Sequence, residues 1–111
     1  MLYTFLMSKD LRLIGLFGLY KNMLTENQKD LFNLYYECDL SLGEIAEIKG
    51  VSRQSVNDGL RKAKEMLSDT EARLGFYERF AAAEKILDKA ESGEISVSDA
   101  AKEIRDLLEE Y

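Results

Sequence analysis

Eight residues between positions 49 and 64 carry side chains suited to holding a polyanion: Lys49, Ser52, Arg53, Gln54, Asn57, Arg61, Lys62 and Lys64. Gln54 and Asn57 have the amide geometry that pairs with adenine, and Arg53 the fork that pairs with guanine. Each such pair is worth about 1–3 kcal/mol of base discrimination. Arg61 lies near the same exposed face. The Ser52 hydroxyl and the first free amides of a helix can meet a phosphate. Lys62 and Lys64 are point charges for the backbone and would carry the salt dependence of binding, with Lys49 adding to the local positive charge. The plainer reading of Gln54 and Asn57 is that they are ordinary surface polar residues. Catalysis has no comparable set of residues. His is absent and Cys38 is the single cysteine, which removes the commonest general base and metal ligand. No Gly-rich phosphate loop, metal-ligand cluster or nucleophile with a nearby base occurs. Carboxylate pairs such as Glu109–Glu110 read as solvated helix faces. No enzyme activity, cofactor or metal is expected.

To present those groups together, residues 41–62 (SLGEIAEIKGVSRQSVNDGLRK) must fold as a short helix, a tight turn and a second helix. Ser41 followed three residues later by Glu44 predicts a capping box. Ile45, Ala46 and Ile48 supply apolar surface. Gly50 stands where the chain turns sharply, because glycine takes a positive φ without steric cost. Ser52 predicts a cap for the second helix, with Val56 and Leu60 one turn apart on its inner face. Ala46 is small where the two helices cross, four residues before Gly50 and ten before Val56. This is the helix-turn-helix spacing, in which the second helix enters a major groove. The same unit can serve as a plain interaction module, so fold and ligand are separate expectations. Three positions argue against a tight base reader. Lys49 precedes the turn glycine where an apolar residue is expected, Gly59 replaces a core aliphatic, and Asp58 would face phosphates.

The net charge of −6 is unevenly spread. Residues 1–48 carry four basic and seven acidic groups, and residues 65–111 six and thirteen. Residues 49–64 carry five basic groups against Asp58 alone. The one positive segment therefore coincides with the recognition helix, and reads either as a phosphate-facing patch on an acidic body or as a solvated helix face where Lys and Arg fall by chance.

At 111 residues, without Pro or Trp, the chain reads as all-α with short connections. A lone cysteine implies no oxidising compartment, and Cys38, beside Tyr35 and Tyr36, reads as a small buried hydrophobe. The N-terminal MLYTFLMSKDLRLIGLFGLYKNM resembles a signal peptide only superficially, since Lys9, Asp10 and Arg12 interrupt it. Its longest uncharged run, Leu13 to Tyr20, is too short to cross a bilayer, so a cytoplasmic protein without membrane insertion is expected. Residues 1–7 read as a disordered or fortuitous extension, with Met1 and Met7 both candidate starts.

A first helix is expected from about Ser8 to Met23, with the stripe Leu13, Phe17, Tyr20 and Leu24. A second opens at the Thr25–Gln28 capping box, presents Leu31, Phe32, Leu34 and Tyr35, and ends near Glu37–Asp39. The recognition helix continues as a heptad seam through Val56, Leu60, Ala63, Leu67, Thr70, Leu74, Tyr77 and Ala81. Two readings of this seam stand: packing within the chain, or a dimer interface through Leu60, Ala63, Leu67, Leu74 and Tyr77. Gly75 is the point at which the seam could instead break, with a new helix from Phe76. Gly93 ends that helix, and Ser96 or Ser98 caps a last one with the stripe Val97, Ala101, Ile104, Leu107 and Leu108. The domain reading is a helix-turn-helix domain over 8–67 and an acidic helical hairpin over 68–111. Tyr35, Tyr36 and Tyr77 have rings that could stack on RNA bases, but their helical spacing reads as core and interface.

Residues 24–67 resemble region 4 of bacterial sigma factors, the domain that reads a promoter element. The chain is more closely similar to the YlxM family, small helix-turn-helix proteins of Gram-positive bacteria linked to the signal recognition particle pathway. LYYECDLSLGEIAE, VSRQSV and LGFYERF (74–80) carry the likeness, which spans roughly residues 8–80; the last hairpin is read from its pattern alone. The resemblance implies a sigma-region-4-like fold and a non-enzymatic regulatory or accessory protein in the signal recognition particle pathway, with nucleic acid or particle components as partners. Two other functions fit the residues: a dimeric DNA-binding transcriptional regulator, and a protein-interaction scaffold that binds no nucleic acid.

Overall fold

Each helix start in the middle of the chain is fixed by a side chain that satisfies free backbone amides. In the computed structural model, which describes residues 11–110, the Thr25 hydroxyl accepts from the Gln28 amide at 3.1 Å, and Gln28 accepts in return from the Thr25 amide at 2.9 Å. Ser41 and Glu44 form the same box at 3.1 and 3.0 Å, and Ser52 accepts from the Ser55 amide at 3.0 Å. The elements are α1 (Leu11–Tyr20), a 3-10 turn (Lys21–Met23), α2 (Glu26–Tyr36), α3 (Leu42–Lys49), α4 (Arg53–Leu74), α5 (Phe76–Glu91) and α6 (Val97–Glu109). Among the described residues there is no strand, so the protein is all-α as expected. None of these helices is long and apolar enough to cross a membrane. The expected helix start at Ser8 and the expected extension over 1–7 lie outside the described residues.

The chain divides into two compact units, the first ending at Arg73 and the second beginning at Leu74. In the first, Leu16, Phe32, Ile45, Val56 and Leu67 are at most 1% exposed. Burying side chains of this size contributes about 1.5–3 kcal/mol each. Leu31, Ile45, Ala46, Val56 and Leu60 form one cluster that joins α2, α3 and α4. Phe32 stacks between Phe17 and Tyr36, with ring centroids 4.3 Å away on both sides. Farther along, the Tyr20 hydroxyl of α1 donates to Glu71 Oε1 of α4 at 2.6 Å in a buried contact. α4 is therefore held along its length, and Leu60, Ala63 and Leu67 lie 3%, 0% and 0% exposed within the single chain.

Gly59 has a packing reason. A Cβ built there would stand 2.4 Å from the Leu31 Cδ1 atom, so Leu31 occupies the space an aliphatic residue would fill. One expectation of burial fails. Cys38 is exposed, because α2 stops at Tyr36 and Cys38 falls in the turn leading to Asp39, whose φ is +54°. Ile48 is 63% exposed, because the eight-residue α3 buries one narrow face through Ile45 and Ala46.

In the second unit α5 and α6 pack as a hairpin. The seam does not continue as one helix: α4 ends at Leu74, Gly75 takes φ +67°, and α5 starts afresh at Phe76. Ser96, not Ser98, caps α6, accepting from the Asp99 amide at 3.0 Å. Tyr77 is half-buried in α5 and Leu74 is 43% exposed.

Candidate nucleic-acid interface

The turn between α3 and α4 is built by the backbone. Gly50 sits at φ +67°, ψ +36°, the left-handed conformation that ends α3. The Val51 amide then reaches back to the Ala46 carbonyl at 3.0 Å, the six-to-one bond of a Schellman ending. At the other end of α3, Glu44 accepts from Ser41. The Ser41 backbone amide, followed by its side chain, holds the Glu44 carboxyl below its ordinary pKa against a slight opposing effect of burial. Together these bonds set the direction in which α4 leaves the turn.

Ser52, Arg53, Gln54, Asn57, Arg61 and Lys62 are exposed, and Lys64 is half-buried. Their engagement differs residue by residue. Gln54 Nε2 donates to Asp58 Oδ1 at 3.0 Å. Arg61 donates to Glu65 at 2.9 Å and lies 3.9 Å from Asp58. The Arg53 guanidinium folds back over α3, so that a Cβ at Gly43 would lie 2.8 Å from its Nη2. Lys49 is taken out of the patch altogether: it pairs with Asp30 of α2, its side chain only 20% exposed. That pair accounts for a lysine at a position where an apolar residue is expected. It joins α3 to α2, and a cation at a helix C-terminus is itself favourable. Asn57, Lys62 and Lys64 have no ion pair or side-chain hydrogen bond among the described residues.

Magnitudes decide what the paired groups can do. Exposed pairs three or four residues apart on a helix are worth about 0.3–0.5 kcal/mol. Arg61 and Gln54 can thus be drawn away by a ligand at small cost. Until then Asp58 and Glu65 offset the charge of Arg61 and Asp58 holds the Gln54 amide, which blunts the base-reading residues more than Lys62 and Lys64.

Two shallow polar hollows border the start of α4. One, about 590 Å³, lies between Ser41, Gly43 and Glu47 of the α3 side and Arg53. The other, about 520 Å³, runs from Thr25, Asn27 and Gln28 at the start of α2 to Ser52, Ser55 and Lys62. The second brings hydroxyl and amide groups from two helix starts beside Lys62. Sequence reasoning misses the contribution of Thr25, Asn27 and Gln28 to this surface. Their capping pattern marks a helix start, but nothing in their spacing links them to Lys62.

Comparison with known proteins places this geometry in context. The family described as "Putative helix-turn-helix protein, YlxM / p13 like", UPF0122, matches residues 7–107. A UPF0122 protein of Staphylococcus haemolyticus is 46% identical over 72 residues, 65% of this chain and 66% of the relative. One of Shouchella clausii is 41% identical over 98 residues, 88% of each chain. One of Halalkalibacterium halodurans is 36% identical over 104 residues, 94% of each.

Proposed function

From the premise that the chain belongs to the UPF0122 family of YlxM/p13-like helix-turn-helix proteins, we propose that it is a non-enzymatic accessory protein that holds the phosphate backbone of a nucleic acid through α3 and α4. Its setting is the signal recognition particle pathway, which the YlxM likeness implies, and its place is the cytoplasm. The observation that carries the proposal is Lys62, exposed beside the polar hollow at Ser52, with Asn57 and the half-buried Lys64 on the other side of α4. None of the three has an ion pair or side-chain hydrogen bond among the described residues, on a chain whose net charge is −6. A positive segment so confined draws a polyanion to α4 and away from the rest. The internal pairs of Gln54 and Arg61 favour backbone contact over base reading.

The test is a titration of a labelled DNA duplex and a labelled RNA hairpin at about 50 mM salt, repeated at rising salt. Binding to both, with little dependence on sequence, is expected. The Lys62→Ala, Lys64→Ala double variant should weaken binding on every sequence and lower the salt slope by about one for each phosphate no longer neutralised. A single preferred duplex, abandoned by Arg53→Ala, would instead favour a sequence-specific transcriptional regulator. Such a regulator would need a dimer surface other than Leu60, Ala63 and Leu67, which the single chain already buries. No binding to either probe at low salt leaves the scaffold reading and sinks this one.

A further inference from the structure

The hairpin unit presents a surface that the nucleic-acid reading does not use. Between α5 and α6 lies an apolar groove of about 220 Å³, lined by Phe76, Phe80, Ala83, Ile104, Leu107 and Leu108. Phe80 is 51% exposed and Leu108 59%. The groove is smaller than the pockets that enclose small molecules, which start at about 300 Å³, but it has room for side chains of a docked helix. On α5 the apolar row continues: positions 76, 80, 83 and 87 repeat at helical spacing, and Leu87 is 48% exposed.

A second row runs beside the first. Glu84, Asp88 and Glu91, spaced by four and three, line one side of α5, and none has an ion pair among the described residues. Lys85 and Lys89 fall on a different face of the helix. Arg79, the cation in the groove lining, donates to the Leu74 carbonyl at 3.2 Å. Over residues 74–111 ten carboxylates stand against five cations. An apolar row edged by such carboxylates repels nucleic acid and complements one kind of ligand.

We propose that this groove docks a basic amphipathic helix of a partner protein. Apolar side chains of that helix at i, i+3, i+4 and i+7 enter beside Phe80 and Leu108, and its lysines or arginines face Glu84, Asp88 and Glu91. The proposal is independent of the nucleic-acid reading, since it rests on other residues and an opposite charge.

The experiment uses the whole chain and a fluorescent 18-residue peptide with leucines at that helical spacing and lysines elsewhere, read by anisotropy. The control is a peptide of the same composition with its leucines scattered around the helix. The patterned peptide is expected to bind at least tenfold tighter than the control. Phe80→Glu should weaken it at least tenfold while circular dichroism stays unchanged. Leu108→Lys is the second variant, should Phe80→Glu disturb the fold, and should weaken it likewise. The Glu84→Gln, Asp88→Asn, Glu91→Gln triple variant should weaken it and flatten its salt dependence. Equal binding of the two peptides, or binding indifferent to both groove variants, overturns the proposal. So does a concentration-dependent doubling of mass in light scattering that Phe80→Glu abolishes, since the occupant would then be a second copy of this chain.

Discussion

The first unit and the hairpin are made of the same kinds of residue, yet the first encloses a core of apolar side chains and the second leaves nearly all of its own at least partly open. In the first, leucine, isoleucine, valine and phenylalanine reach 1% exposure or less. In the second, Ala100 is the only buried hydrophobic residue among those described, while Phe80, Leu87, Val97 and Leu108 stay 48% to 79% exposed. Helical pattern alone does not separate them, since α6 has as regular an apolar stripe as any helix of the first unit. The difference is enclosure. Among the described residues of the first unit, four helices and a 3-10 turn approach a side chain from several directions, whereas two antiparallel helices meet along a single seam and leave the flanks of their stripes open. Amphipathic spacing tells which face is apolar, not whether the chain itself covers that face.

The largest test of this contrast is a pair of truncations read by urea denaturation. Leu67→Ala empties a fully enclosed site and should cost about 2–5 kcal/mol. Leu108→Ala removes a side chain already 59% exposed and should change stability by no more than about 0.5 kcal/mol. Similar losses from both would mean that the hairpin is as complete as the first unit. Next, Tyr20→Phe removes the donor to Glu71 and should cost about 1–3 kcal/mol, because a buried carboxylate is left without that bond while the ring keeps its shape.

A smaller effect, and a more discriminating one, is expected at Gly59. Helix propensity alone says that alanine there should stabilise α4 by about 1 kcal/mol. The 2.4 Å approach to Leu31, itself 2% exposed and unable to move aside freely, says the opposite. Overpacking costs about 1–3 kcal/mol, so Gly59→Ala should be a net destabilisation of about 1 kcal/mol in the same assay. At Gly43 the close neighbour is the mobile end of exposed Arg53, so Gly43→Ala should displace the guanidinium with little effect on stability. The smallest effect is that of pH on the Ser41–Glu44 box. The folded state holds the Glu44 carboxyl below its ordinary value of 4.5. The box therefore contributes fully above that value and fades as pH falls through the lower folded-state value. The stability gap between the protein and Ser41→Ala should narrow on acidification; a gap that widened would reverse the assignment.

What is legible in the sequence follows from local rules. The caps at Thr25, Ser41 and Ser52, the turn at Gly50 and the inner positions Val56 and Leu60 depend on neighbours a few residues away, and spacing encodes those. The misses depend on tertiary partners. Lys49 sits 19 positions from Asp30, and no local pattern announces that pair. Gly59 reads as a defect until Leu31 is seen filling its place. Leu16, 0% exposed, falls outside the expected first stripe because Leu13 and Phe17 fit the same period, and both prove only half-buried. Residue type alone puts Cys38 in the core, but a turn brings it to the surface. For the interface, spacing names which side chains lie outward on α4. It does not show that Asp58 and Glu65 already hold two of them.

The bond between Tyr20 and Glu71 has a consequence for the rotational phase of α4. Glu71 and Arg53 lie on one continuous helix, 18 residues and about 27 Å apart at 1.5 Å per residue. The far end is pinned to α1 and the near end to the turn, so the azimuth of the outward face is locked by counting. Deleting a single residue between them would twist one end against the other by about 100°. Length changes in this stretch are therefore tolerable only in whole helical periods, as with gears that mesh at certain teeth and jam at all others.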